Sequence, residues 1–176
     1  MQFSNAELPH HNDSLYWFLH NPDRSSMPIE TVVDAFIGTA MALAPAVRTV
    51  IESHVVTDEP VIVEGDGILP ALCRDPNLLP LGESGLIRWC CIKPGSPDQL
   101  LGNMMRRGRG VDDSGSVELR SHVEAVSAYG HWLAEQSDAL DIPTVPANPE
   151  GSAVERVLMA MGVGDSPGSM ATLVDR

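Results

Sequence analysis

Apolar residues recur with a helical period over two long stretches of the chain. Between Ile29 and about His54 they fall three or four positions apart, and Pro28 stands where the first turn of a helix tolerates proline. A second stretch, from about Val117 to Leu140, has the same period. Both stretches therefore predict amphipathic helices.

Three shorter helices are predicted from local signals. The aromatic run at residues 15–19 predicts about one helical turn, because an Asn-Pro pair follows it. Residues 96–99 (SPDQ) supply an N-cap, a first-turn proline and a capping-box glutamine for a helix to about Arg106. Ser152 and Glu155 predict a second capping box, before a last helix that Gly162 and Gly164 end.

Three runs predict strands. Residues 61–63 (VIV) are continuous and β-branched, which is typical of a strand buried in a parallel sheet. Residues 86–92 (LIRWCCI) predict a second strand. Residues 142–147 predict a third, at or near a sheet edge, because Pro143 and Pro146 cannot donate to a ladder. The alternation of strands with helices predicts an α/β fold with a parallel sheet.

Composition limits the partners that we expect. The 176 residues include 11 basic and 24 acidic ones, a net charge of −13 that repels nucleic acid. No signal-peptide pattern and no window of 18 uncharged apolar residues is found, so we expect no membrane partner. Cys73, Cys90 and Cys91 fit neither a disulfide framework nor a metal motif, which indicates a cytoplasmic protein.

Two carboxylates follow the first predicted strand. In open α/β sheets ligands bind beyond the carboxyl ends of the strands, and Glu64 and Asp66 stand there between glycines. Such a pair can hold a hard cation through water or act as a general base, and glycine lets a ligand approach the backbone. A solvated turn after a strand has the same pattern, so both interpretations stay open on the residues alone.

A cluster of basic residues is the second candidate site. Residues 88–109 hold five of the 11 cations and one carboxylate. Arginine forks match phosphate oxygens, and nearby glycines let a loop fold over an anion. A solvated helix C-terminus would also collect cations, because the helix dipole favours them there. The five cations are Arg88, Lys93, Arg106, Arg107 and Arg109.

Several segments together resemble one group of enzymes. They are PVIVEGDGILP at 60–70, NMMRRGRG at 103–110, YGHWL at 129–133, and the last strand with its proline and helix. From about residue 13 to 162 the chain is similar to the 2-phosphoglycerate-kinase-like group of P-loop small-molecule kinases. The resemblance implies phosphoryl transfer from ATP, with Mg²⁺, to a small-molecule substrate.

The resemblance also implies roles for individual residues. Glu64, with Asp66 beside it, would be catalytic and lie near Mg²⁺ and the acceptor. We expect this pair to face the arginine loop across one cleft. The implied nucleotide-binding residues are Arg106, Arg107 and Arg109, in a lid over the phosphates, and Asn148 and Pro149, near the base.

One element of such kinases is missing from the sequence. Their phosphate loop is G-x-x-x-x-G-K-[ST], whereas the single lysine, Lys93, precedes a proline. The family begins with a strand, this loop and a helix, about 30 residues that would precede Met1. We therefore expect residues 1–164 to form one incomplete P-loop kinase-like α/β domain, with a flexible tail at 165–176.

Two functions follow from this departure. The first is a truncated kinase with weak or no turnover. The alternative is a non-catalytic phosphate- or nucleotide-binding module.

Overall fold

Helices make up most of the fold, beside one small sheet. The computed structural model describes residues 13–106, 117–147 and 150–163. Its helices are α1 (Asp13–His20), α2 (Ile29–Thr57), α3 (Leu79–Glu83), α4 (Pro97–Arg106), α5 (Val117–Asp138) and α6 (Ala153–Ala160). Its strands are β1 (Cys91–Lys93) and β2 (Thr144–Pro146), and short 3₁₀ turns lie at Arg24–Ser26, Pro70–Arg74 and Glu150–Ser152. The two long helices and the α4 helix confirm the sequence prediction.

A row of aromatic rings joins α1, α2 and α5. Phe18 of α1 lies 4.7 Å from Phe36 of α2, measured between ring centroids. Phe36 stacks on Tyr129 of α5 at 5.1 Å, and Tyr129 stacks on Trp132 at 5.9 Å. Each such pair stabilises the fold by about 0.5–1.5 kcal/mol beyond the burial of its surface. The predicted aromatic helix at the N-terminal side is thereby fixed to both long helices.

A second core cluster lies towards the C-terminal end of α2. Ile51, Leu72 and Leu78 are buried at its centre. Half-buried side chains from several segments pack around them, namely Ala44, Val47, Val63, Ile68, Leu81, Ile87 and Trp89. The cluster thus holds both the residues that precede β1 and the end of the predicted strand at 61–63.

β1 and β2 form a two-stranded parallel sheet. Cys91 lies opposite Thr144, Ile92 opposite Val145, and Lys93 opposite Pro146. The Cys91 amide donates to the Pro143 carbonyl at 2.8 Å, and the Ala147 amide donates to the Lys93 carbonyl at 3.0 Å. The predicted α/β class with parallel strands is confirmed, and β2 is an edge strand as its prolines predict. The P-loop kinase-like fold stays a prediction.

Residues 61–63 do not form a buried strand, so that prediction is wrong. The chain runs from Glu59 to Gly65 without turn or bend, but no strand beside it appears in the described parts of the chain. Ile62 is 90% exposed and Val61 is 44% exposed. A β-branched run favours an extended backbone, yet a parallel strand also needs a neighbour that pairs with it.

The predicted strand at 86–92 is shorter than expected. Strand pairing begins at Cys91 and extends to Lys93. The amides of Leu86 and Ile87 instead donate to the Leu81 carbonyl, at 3.0 and 3.2 Å. These bonds continue the turn that follows α3, so the first residues of the run are not available to the sheet.

The two predicted capping boxes have different outcomes. At α4 the box is present, since the Ser96 amide donates to Gln99 Oε1 at 3.0 Å and the Gln99 amide donates to Ser96 Oγ at 3.3 Å. At α6 it is wrong, because no side chain caps the helix and Ser152 Oγ accepts a hydrogen bond from Arg156. The predicted end of α6 is confirmed at Gly162, which has a φ of 64°.

α2 is long and apolar enough to cross a membrane by length and composition. Its most apolar window has a mean hydropathy of 1.4, and 17% of that window is buried. The helix also packs against α1 and α5. The cytoplasmic location and the absence of a membrane partner stay predictions.

Gly130 of α5 provides a test of this packing. A methyl group on Gly130 would lie 2.8 Å from Cγ of Pro94, which follows β1. We expect Gly130→Ala to lower the free energy of unfolding by about 1–3 kcal/mol, the usual cost of overpacking, as measured by urea denaturation.

Gly102→Ala in α4 is the matched control. A methyl group there meets nothing within 4 Å, so alanine should raise the free energy of unfolding by about 0.5–1 kcal/mol through helix propensity. If both variants were stabilised alike, α5 would not press against Pro94.

Candidate functional site

Two loops that follow extended segments meet at one turn of α5. The Tyr129 hydroxyl donates to the backbone carbonyl of Asp66 at 2.7 Å. The next residue, Gly130, lies against Pro94. Tyr129 and Gly130 are consecutive in the helix, so the acidic loop and the loop after β1 both contact the same turn of α5. We call residues 64–67, residues 93–95 and these two α5 residues the two-loop site.

Tyr129 is the fixed point of the two-loop site. The residue is 3% exposed, and its ring is stacked between Phe36 and Trp132. Burial, together with the negative charge of Asp66, raises the pKa of Tyr129 to about 12. The hydroxyl is therefore protonated at neutral pH and donates to the acidic loop throughout the physiological range.

The glycines of the acidic loop serve the fold. The Ile68 amide donates to the Gly65 carbonyl at 3.3 Å, which closes the loop. A methyl group on Gly67 would lie 3.1 Å from Cδ1 of Leu43 in α2, so a larger residue there would require the Leu43 side chain to shift. The sequence interpretation assigned these glycines to ligand approach, and for Gly67 the structure gives this different reason.

Glu64 and Asp66 are exposed and follow an unpaired segment rather than a strand. In the described ranges no three His, Cys, Asp or Glu side chains lie close enough together to hold a metal ion. Mg²⁺ is usually bound by one or two carboxylates together with substrate phosphates and water. The pair therefore fits Mg²⁺ only when a phosphate ligand completes the coordination.

Lys93 is the cation of the second loop. It ends β1, is exposed, and leads through Pro94 and Gly95 into α4. The capping box occupies the Ser96 and Gln99 amides, and the Leu100 amide donates to the Ser96 carbonyl at 2.9 Å. Most amides at the start of α4 are therefore already paired, and the positive charge here comes chiefly from Lys93.

The structure separates the predicted cluster of cations. Arg106 lies in the last turn of α4, where its guanidinium donates to the Asn103 side chain. It lines an open depression with Gln99, Gly102, Asn103 and Met105, and neither Glu64 nor Asp66 is among the described residues that line it. The expected shared cleft is not seen in this depression.

Arg88 lies apart from the two-loop site. Its guanidinium nitrogens lie 3.6 Å from where methyl groups on Gly85 and Gly162 would be. Arg88 precedes β1 whereas Lys93 ends it, five residues later. Arg107, Arg109, Asn148 and Pro149 lie outside the described residues.

Tyr129 and Gly130 belong to the segment YGHWL, which contributes to the family resemblance but implies no role for either residue. The hydrogen bond from Tyr129 to Asp66 spans 63 positions of sequence, and nothing local indicates it. The one available signal is a tyrosine-glycine pair inside a predicted helix, since glycine there usually has a packing reason.

Comparison with protein-family models, with curated proteins and with solved structures finds no match to this chain.

The pKa of Tyr129 predicts a pH dependence of stability. In the folded protein the hydroxyl ionises at about 12, against an ordinary value of 10.0. Between these values the folded state binds more protons than the unfolded state, so the free energy of unfolding should fall as the pH rises from 10 to 12. Urea denaturation across this range would measure the fall.

Two phenylalanine variants separate the titration of Tyr129 from that of Tyr16. Tyr16 and Tyr129 are the two tyrosines of the sequence, so Tyr16→Phe leaves an ultraviolet titration that reports on Tyr129 alone. Tyr129→Phe should remove the steep part of the pH dependence and lower the free energy of unfolding by about 0.5–1.5 kcal/mol at neutral pH. Titration of Tyr129 at its ordinary value in the folded protein would contradict the assignment.

Proposed function

We propose that this chain binds a phosphate-bearing metabolite or nucleotide at the two-loop site and does not transfer phosphoryl groups by itself. The observation that carries the proposal is the anchoring of two loops at adjacent residues, Tyr129 and Gly130. One loop bears two exposed carboxylates and the other bears the single lysine of the chain. An ammonium group suits phosphate oxygens, and carboxylates suit the Mg²⁺ that accompanies them.

Each group has a distinct task in this proposal. Lys93 attracts phosphate oxygens as a compact charge. Glu64 and Asp66 accept hydrogen bonds from hydroxyl groups of the ligand, or hold Mg²⁺, which would neutralise phosphate charge when bound. Tyr129 positions the acidic loop without contacting the ligand.

The remaining predicted residues enter through the family resemblance. We propose that Arg106, Arg107 and Arg109 cover the phosphates of a bound nucleotide, and that Asn148 and Pro149 lie near its base. ATP with Mg²⁺ is accordingly one proposed ligand, and a small phosphorylated metabolite is the other.

The absence of turnover rests on the sequence. Phosphoryl transfer in P-loop enzymes depends on a lysine and a row of backbone amides around the β and γ phosphates. Lys93 is followed by proline and is not preceded by the glycine-rich loop. Phosphoryl transfer is therefore the activity that the resemblance implies for the complete architecture, and binding is the activity that we propose for this chain.

Thermal unfolding with pyrophosphate as the probe tests the binding proposal. At about 100 times its dissociation constant, pyrophosphate should stabilise the fold by about 2.7 kcal/mol. We expect Lys93→Ala to weaken binding about tenfold, the loss of about 1.4 kcal/mol from one charged contact. We expect Glu64→Gln combined with Asp66→Asn to remove any additional stabilisation by Mg²⁺.

Arg88→Ala is the charge-matched control. It removes one positive charge from the same sequence cluster, but the structure places Arg88 beside Gly85 and Gly162, so binding should be unchanged. If Arg88→Ala and Lys93→Ala weaken pyrophosphate binding equally, the anion is attracted unspecifically. If neither pyrophosphate nor MgATP raises the unfolding temperature, the binding proposal is refuted. Release of phosphate from MgATP above background would refute the statement that the chain does not transfer phosphoryl groups.

A further inference from the structure

A cleft lies between α1 and α2, and it shares no residue with the two-loop site. Its volume is about 310 Å³, at the lower end of the range for small-molecule sites. Two lining residues stand three positions apart on α1, and four stand three or four positions apart on α2, so each helix contributes one face. The lining residues are Ser14, Trp17, Thr31, Asp34, Ala35 and Gly38.

Contacts around the cleft hold its two walls in place. The Thr39 hydroxyl of α2 donates to the Ser14 backbone carbonyl of α1 at 2.8 Å. Phe18 and Phe36 join the same helices through their rings. A methyl group on Gly38 would lie 3.5 Å from Ser14 Oγ, which is an ordinary contact distance, so glycine leaves space between the helices there. The cleft is therefore formed by the fold itself.

Asp34 gives the cleft a negative charge that the fold does not neutralise. Its carboxylate is exposed and makes no ion pair or hydrogen bond with the residues that the structure describes. Glu30, one turn earlier on α2, is exposed too. Arg24 follows α1 along the chain, but its guanidinium lies over the Phe18 ring, 5.5 Å from the centroid. The charge of Asp34 therefore favours a cation as the ligand.

The other lining groups suit an ammonium ion with an apolar substituent. The hydroxyls of Ser14 and Thr31 make no hydrogen bonds within the described ranges. A primary ammonium group has three N–H donors, which one carboxylate and two hydroxyls can accept. Trp17 is half-buried and Ala35 is buried, so both supply apolar surface, and the face of an indole ring also attracts cations.

We propose that the cleft between α1 and α2 binds a small primary ammonium ion that carries an apolar group. The ammonium group pairs with Asp34 and donates to the hydroxyls of Ser14 and Thr31, and the apolar group lies on the Trp17 ring. A divalent metal ion fits less well, because Asp34 is the single carboxylate among the lining residues. This inference does not depend on the proposed phosphate ligand.

A set of three related compounds tests the ligand class on the intact chain. The probe is phenylethylammonium, and phenylethanol is its uncharged match in size. We expect an NMR titration at about 0.15 M ionic strength, where diffuse attraction is screened, to show binding of the ammonium ion and none of the alcohol. Phenylethyl-trimethylammonium keeps the charge but has no N–H donors, so it should bind about tenfold more weakly.

Two charge-neutralising variants test the position of the ligand. Asp34→Asn should weaken phenylethylammonium at least about tenfold, because a hydrogen bond to a charged group is lost. Glu30→Gln is the matched control, since it makes the same change one turn earlier on α2 and does not line the cleft. Both side chains are exposed, so both variants should unfold at temperatures close to that of the wild type.

Four results would overturn the proposal. The first is a dissociation constant for phenylethylammonium above about 10 mM, and the second is equal binding of phenylethanol. The third is equal binding of the trimethylammonium compound, because the hydroxyls would then have no role. The fourth is equal weakening by Asp34→Asn and Glu30→Gln, which would mean diffuse attraction to an acidic chain. The pyrophosphate shift should be the same in both variants as in the wild type, so failure of this site is distinguishable from failure of the phosphate site.

Discussion

The hydrogen bond from Tyr129 to the backbone of Asp66 determines where the candidate chemistry of this protein lies. The donor is a buried residue of α5, and its ring is stacked between aromatic neighbours from α2 and from α5 itself. The acceptor belongs to a loop with no secondary structure of its own. The rigid element thus fixes the irregular one, and Gly130 does the same for the loop after β1 by allowing close approach.

The arrangement separates structural tasks from chemical ones. Apolar rings and a protonated phenol hold the site from inside, while the charged groups, Glu64, Asp66 and Lys93, point to positions that water reaches. In a chain with a net charge of −13, one exposed lysine attracts anions weakly unless a divalent cation also binds. This balance explains why a phosphate ligand and Mg²⁺ belong together in the proposed function.

Local sequence signals predicted the elements that local forces decide. α2, α4 and α5 follow from apolar periodicity and caps, which depend on residues within one or two turns. The 61–63 strand failed because pairing depends on a neighbour far along the chain, and the Ser152 cap failed because Arg156 competes for the same hydroxyl. Charge and position along the chain predicted Glu64, Asp66 and Lys93 as candidates, whereas the contact that fixes the acidic loop to α5 spans 63 positions and has no local pattern.

The outer edge of β2 also limits how the protein can misassemble. Growth of a cross-β fibre requires every copy to pair on two sides, one above and one below. At the outer edge of β2, Pro146 has no amide hydrogen to donate and its carbonyl already accepts a hydrogen bond from Arg156. A further strand at this edge could pair only with the backbone groups of Thr144 among the residues of β2, so the Pro146–Arg156 contact weakens polymerisation through β2.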